Sequence, residues 1–224
     1  MHHVLIVTGG HLNIDFAKVY SKTLSIDRVF AVDKGLEYVD CMGLVPDYIV
    51  GDFDTVDKKL LAAYEKRIAA GELPAYLERY PAKKDATDTE LAVMEAIKER
   101  AGQITILAAT GNRIDHMLAN LGLLLQAAEE NIECHIVDET NRIRLLQAGK
   151  CCRIEKRNQF GLYLSMIPVS PVIKGLTITG VMYPLNNKTV RQGSSLTVSN
   201  QIQEEAAMIT CTEGELLVIE SRDG

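Results

Sequence analysis

The chain has 224 residues, 47% hydrophobic and 24% charged, an ordinary globular composition with room for one large domain or two modest ones. A net charge of −6 without a basic run beyond Lys-Lys pairs argues against a nucleic-acid partner, and no apolar run is long enough to span a bilayer. The start "MHHVLIV" reads as a first strand rather than a signal peptide, and five scattered cysteines without zinc-ligand spacing read as reduced thiols of a cytoplasmic protein.

In chain order, "HHVLIVTGG" predicts a strand and "FAKVYSKTL" a helix, then "RVFAVD" a strand and "KGLEYVDCMG" a helix closed by Gly43. "DYIVGD" is a third strand, and "VDKKLLAAYEKRIAAG" a helix stopped by Gly71. An extended "PAYLERYP" follows, then the helix "TDTELAVMEAIKERAG", the strand "QITILAAT", the helix "RIDHMLANLGLLLQAAEEN" and the strand "ECHIVD". This alternation predicts an α/β domain over residues 1–140, with a mostly parallel sheet flanked by helices. Residues 141–224 change character. "RIRLLQAG", "CCRIEKR", "FGLYLSMIPV", "LTITGVMYPL", "SSLTVSNQI", "AAMITCT" and "ELLVIES" read as short strands between Gly, Pro and Asn turns, with a hairpin at Gly214. An all-β sandwich or barrel is expected there.

Three stretches carry chemistry. "YIVGDFDTV" puts Asp52 and Asp54 at the end of an apolar strand, where i and i+2 in an extended chain face one side and Phe53 the other. Two like charges there are suited to a Mg²⁺ ion between them; equally, this is a polar turn with Asp54 capping the next helix. In "KDATDTE", Thr87 and Glu90 form a capping-box pattern that accounts for Asp88 in the first turn, but not for Lys84 and Asp85 outside it. In "ILAATGNRIDHMLANLGLL" a strand ends at Gly111 and a helix begins near Asp115, a natural anion cradle to which Arg113 adds a planar donor fork. His116 and Asn120 lie four apart on one helix face. The alternative is Asp115 as a cap and Arg113 as a solvated surface residue.

No Walker-type loop or dinucleotide fingerprint is present. Asp33 ends the second strand, so a parallel sheet gathers Asp33, Asp52, Asp54 and Gly111 on one edge, beyond the carboxyl ends of strands where ligands bind. So many acids in one crevice require divalent cations. Carboxylates, Mg²⁺ and arginine are the equipment of phosphoryl transfer from a nucleotide.

With these residues identified, the chain resembles the thiamin pyrophosphokinase family. The matching pieces are "PDYIVGDFDT" (46–55), "KDATDTELA" (84–92), "TGNRIDHMLANLGLL" (110–124), "GLTITGVMYPLNN" and "GSSLTVSN" (175–200), in family order. The resemblance implies an α/β nucleotide-binding domain followed by a thiamin-binding β-sandwich. It also implies transfer of the diphosphate of ATP to the hydroxyl of thiamin, giving thiamin diphosphate and AMP, in a homodimer whose site lies at the subunit interface. By motif, Asp52, Asp54 and Asp88 match acids that hold Mg²⁺. Arg113 and Asp115 match residues around the phosphates and substrate, and Ser199 and Asn200 match a segment near thiamin. Asp33, Lys84, Thr87, Gly111, His116 and Asn120 join the expected binding set, and Asp115 or Asp85 is the expected proton acceptor. Thr55 stands for the usual serine and Asn112 for a common glycine. With no Trp in the chain, Tyr183 or an apolar neighbour is left to stack on thiamin. The rival readings are a divalent-metal phosphohydrolase and a non-catalytic thiamin- or nucleotide-binding module.

Overall fold

A computed structural model of the chain describes residues 2–81 and 85–224. The chain divides into two compact units, Met1–Glu139 and Thr140–Gly224.

In the first unit, β1 (His3–Val7), β2 (Arg28–Val32), β3 (Tyr48–Gly51), β4 (Tyr76–Arg79), β5 (Gln103–Leu107) and β6 (Glu133–Val137) form a sheet in the order β4-β3-β2-β1-β5-β6. Every pairing is parallel. A parallel sheet covered on both faces demands continuous apolar strands, and all five residues of β1 are buried. The covering helices are α1 (Ile14–Ser21), α2 (Gly35–Met42), α3 (Lys58–Ala69), α4 (Asp88–Lys98) and α5 (Ile114–Glu129). Their starts follow local chemistry: Asn13 caps α1, Asp57 caps α3 and Thr87 caps α4 through its hydroxyl, 3.1 Å from the Glu90 amide. The α3 cap is thus Asp57 rather than Asp54, because the turn after β3 is three residues longer than a direct strand-to-helix step. Arg113 occupies the N-cap of α5 without a side-chain cap, which puts Asp115 inside the first turn.

In the second unit, β7 (Asn141–Gln147), β13 (Glu215–Ser221) and β9 (Tyr163–Pro168) pair antiparallel. A second antiparallel sheet has the order β11-β10-β12-β8, from β8 (Cys151–Glu155), β10 (Val172–Thr179), β11 (Leu185–Arg191) and β12 (Ala206–Thr210). One core, including Ile154, Leu164, Met166, Ile178, Ile209 and Val218, draws on strands of both sheets, so this unit is a sandwich. Two expectations fail. "SSLTVSNQI" is no strand; it runs as turns with isolated bridges Leu164–Asn200 and Val181–Ile202, while the polar stretch Leu185–Arg191 forms β11. As an edge strand, β11 buries only Val190, so its sequence shows no alternation. Gly214 makes a turn, but it links β12 of one sheet to β13 of the other and is no hairpin.

Glu220 on β13 is the unit's deepest charge, 1% exposed. It accepts hydrogen bonds from Arg142 (2.8 and 3.0 Å), from Arg144 and from the Phe160 amide (2.9 Å). Burial raises its proton affinity, but the hydrogen bonds and charge of Arg142, with Arg144, outweigh that and hold the carboxyl below its ordinary value.

Candidate active site

The strand order reverses direction beside β1: β2 to β4 extend one way, β5 and β6 the other. Such a switch point opens a crevice at the carboxyl ends of the strands. An open cavity of about 690 Å³ lies there, lined by loops that leave β1, β2, β3 and β5, by Tyr38 of α2 and by the N-terminal parts of α4 and α5. The loops after β1 and β5 are stitched together: the amides of Gly10 and His11 donate to Ala108 and Thr110 at 2.9 and 3.0 Å, and the Thr8 hydroxyl donates to Ala108 at 2.6 Å. A Cβ on Gly10 would lie 2.1 Å from the Ala108 oxygen, so only glycine permits this approach.

The expected acids meet. Asp33, Asp52, Asp54 and Asp88 all line the cavity, as do Thr87, Gly111, Arg113, His116 and Asn120. The route is not the one extended geometry predicts. The strand stops at Gly51, and Phe53 turns into the left-handed region at φ 60°. A turn therefore follows, in which the Asp54 amide donates to Asp52 Oδ1 at 3.1 Å and Phe53 is buried. The turn, not strand alternation, presents the two carboxylates. Asp33, itself left-handed at φ 47°, accepts the Phe53 amide at 3.2 Å. Its carboxyl is pushed up to about 6, first by burial and then by the adjacent charge of Asp88, with Asp52 contributing.

Among the described residues no three or more His, Cys, Asp or Glu side chains already form a metal cage. Asp52, Asp54 and Asp88 share a cavity without forming a ready triad, and the carboxyl that hydrogen-bonds Asp88 is that of Asp33. This still fits Mg²⁺, which takes one or two protein carboxylates and completes its shell with water and phosphate. The half-buried, like-charged pair is the feature a cation relieves.

Other expected residues are committed elsewhere. Asp115 binds Arg113 through two contacts, 2.6 and 3.0 Å, both side chains being exposed. That bond and the guanidinium charge hold its carboxyl well below the usual range, so Asp115 is a weak proton acceptor. Neither Asp115 nor Asp85 is among the described lining residues. Asn120 spends its amide on the Ala109 carbonyl at 2.9 Å, clamping the β5–α5 loop, and the Thr87 hydroxyl is used in its cap. Lys84 lies outside the described residues. Ser199 and Asn200 belong to the second unit. Ser199 is exposed at φ 59°, while buried Asn200 accepts from the Tyr183 amide at 3.0 Å and donates to the Tyr183 carbonyl at 2.8 Å. Asn200 thus braces the backbone of Tyr183, a residue that is 63% exposed.

Two family descriptions match the chain: "Thiamin pyrophosphokinase, catalytic domain" over residues 22–136 and "Thiamin pyrophosphokinase, vitamin B1 binding domain" over residues 151–216. The thiamine pyrophosphokinase of Bacillus subtilis (strain 168) is 34% identical over 223 residues, covering 100% of both proteins. The chain belongs to the thiamin pyrophosphokinase family. Its fold agrees with that of family members: the crystal structure of the Bacillus subtilis enzyme superposes with a TM-score of 0.85 at 32% identity, covering 99% of this chain and 100% of that one. The structure of thiamin pyrophosphokinase from Geobacillus thermodenitrificans gives a TM-score of 0.82 at 30% identity, covering 99% and 98%.

Some residues that line the cavity are not singled out by the sequence of this thiamin pyrophosphokinase family member. Tyr38 on α2 lines the cavity and donates its hydroxyl to the Gly10 carbonyl at 2.9 Å. Thr89 and Met117 line it too. Met117 lies four residues after Arg113, a helical spacing that could have found it, whereas Thr89, next to Asp88, had no such signal.

Proposed function

We propose that the first unit binds ATP as its magnesium complex and transfers the diphosphate to the hydroxyl of thiamin, giving thiamin diphosphate and AMP. The observation that carries this reading is the convergence of Asp52, Asp54 and Asp88 on the cavity that Arg113 and the start of α5 also line. Asp54 and Asp88, with Asp52 assisting, would hold Mg²⁺, which supplies charge neutralisation for the phosphates. Arg113 offsets charge developing on the attacked phosphoryl group, and the α5 N-terminus adds amide donors. Arg113 lowers the proton affinity of Asp115, and Asp85 is not among the described lining residues, so neither expected base is given the proton in this reading.

Thiamin is assigned to the second unit around Ser199, with Tyr183 as the aromatic platform. An exposed aromatic whose backbone is held by a buried amide supports that reading, because the fixed main chain sets where the ring can stand. A homodimer with the site at the subunit interface is supported by apolar side chains left exposed on the second unit: Leu162, Met182, Leu196 and Val198. Five free cysteines support a reducing, cytoplasmic setting.

The deciding experiment incubates the protein with magnesium and ATP, with and without thiamin, and separates the products. Thiamin-dependent AMP is expected. ADP or phosphate formed without thiamin would replace this reading with a hydrolase, and tight binding without turnover would replace it with a sensor.

A further inference from the structure

The Asp52–Asp54 turn rests on a residue in an uphill conformation. Phe53 has a Cβ and sits at φ 60°, where side chains are disfavoured. Something outside the turn must hold it there. From the β2 side, Asp33 takes its amide proton. From the β4 side, Gly51 pairs with Arg79, and the Tyr80 amide donates to the Gly51 carbonyl at 3.1 Å. The Arg79 guanidinium then lies 5.0 Å from the centre of the Phe53 ring, and its Nη2 donates to Glu65 of α3 at 2.7 Å. Phe53 is 5% exposed, so the ring is enclosed and the guanidinium is part of its cover.

We infer that Arg79 is a positioning residue for divalent-cation binding: by capping the Phe53 ring it holds the turn that presents Asp52 and Asp54 to the cavity. Arg79 is not among the described cavity-lining residues, so it acts through Phe53 and not on the ligand. Its ion pair is half exposed on both sides, and such pairs add little to global stability. The cation–ring contact is the part with a geometric consequence. The inference rests on the assignment of Asp52 and Asp54 to the metal.

The test titrates full-length protein with Mn²⁺ alone, following free Mn²⁺ by electron paramagnetic resonance, alongside thermal unfolding without metal. Arg79→Ala and Phe53→Leu are each expected to weaken Mn²⁺ binding about three- to tenfold; the unfolding midpoint should hardly move in Arg79→Ala and should fall by about 2–4 °C in Phe53→Leu, whose ring is enclosed. The double variant should be no weaker than the worse single one, since both remove the same contact. Wild-type affinity in Arg79→Ala, or losses that multiply in the double variant, would overturn the inference. Asp54→Asn separates the two levels. If it abolishes Mn²⁺ binding while Arg79→Ala does not weaken it, only the positioning role falls. If Asp54→Asn binds normally, the metal assignment falls and takes this inference with it.

Discussion

The amide of Phe53 donates to the carboxylate of Asp33 at 3.2 Å, joining the end of β2 to the turn after β3. One bond therefore couples the acid nearest Asp88 to the pair Asp52 and Asp54. The same carboxylate leaves no room for a side chain at residue 51, where a Cβ would lie 1.9 Å from Asp33 Oδ1.

Gly51→Ala should push Asp33 off the Phe53 amide. Expected is a loss of about 1–3 kcal/mol in urea unfolding together with at least roughly tenfold slower AMP formation. Turnover at the wild-type rate would show that the Asp33–Phe53 bond does not matter to the reaction.

Asp54→Asn and Asp88→Asn keep the size of each side chain and remove its charge. Each should lower thiamin-dependent AMP formation by about a hundredfold or more, with circular dichroism unchanged. If either variant turns over near normally, that residue leaves the metal set.

Arg113 and Asp115 are bound to each other, so their variants should differ in kind. Arg113→Ala removes the donor fork and should cost about a hundredfold in kcat. Asp115→Asn only frees the guanidinium, so kcat should stay within about tenfold; an equal loss in both would make Asp115 a direct participant.

Tyr183→Ala should raise the KM for thiamin about tenfold while the KM for ATP stays unchanged, because aromatic stacking is lost from one substrate only. Equal changes in both constants would point to the fold of the second unit and not to a platform.

Glu220 sets an acid limit on stability. Its folded carboxyl lies below the ordinary 4.5, so its contribution is complete above that pH and is lost as pH falls toward the folded value. Glu220→Gln leaves two arginines facing a neutral group and should cost about 3–5 kcal/mol at pH 7. It should also flatten the wild-type loss of stability below about pH 4.5, as measured by urea unfolding across pH. An unchanged pH dependence would remove Glu220 from this role.

Much of this molecule was legible from local pattern. Strands such as "HVLIV" and "QITIL" are continuous and apolar because a parallel sheet buries both faces, and runs of that kind can be recognised without coordinates. Thr87 and Glu90 mark the start of α4 through a bond between near neighbours. The acids at strand ends could likewise be assigned to one edge, because parallel order sends every carboxyl end the same way.

What periodicity could not supply was anything decided by distant partners. β11 is polar and mostly exposed; it is a strand only because β10 gives it hydrogen bonds, whereas the more strand-like "SSLTVSN" finds its partners one residue at a time. Asp52 and Asp54 reach the cavity through a left-handed turn held by Asp33, nineteen residues before Asp52, and Asp115 is withdrawn from it by Arg113. Which carboxylate ends up beside which cation is an outcome of chain pairing and enclosure, and short-range propensities carry no information about either.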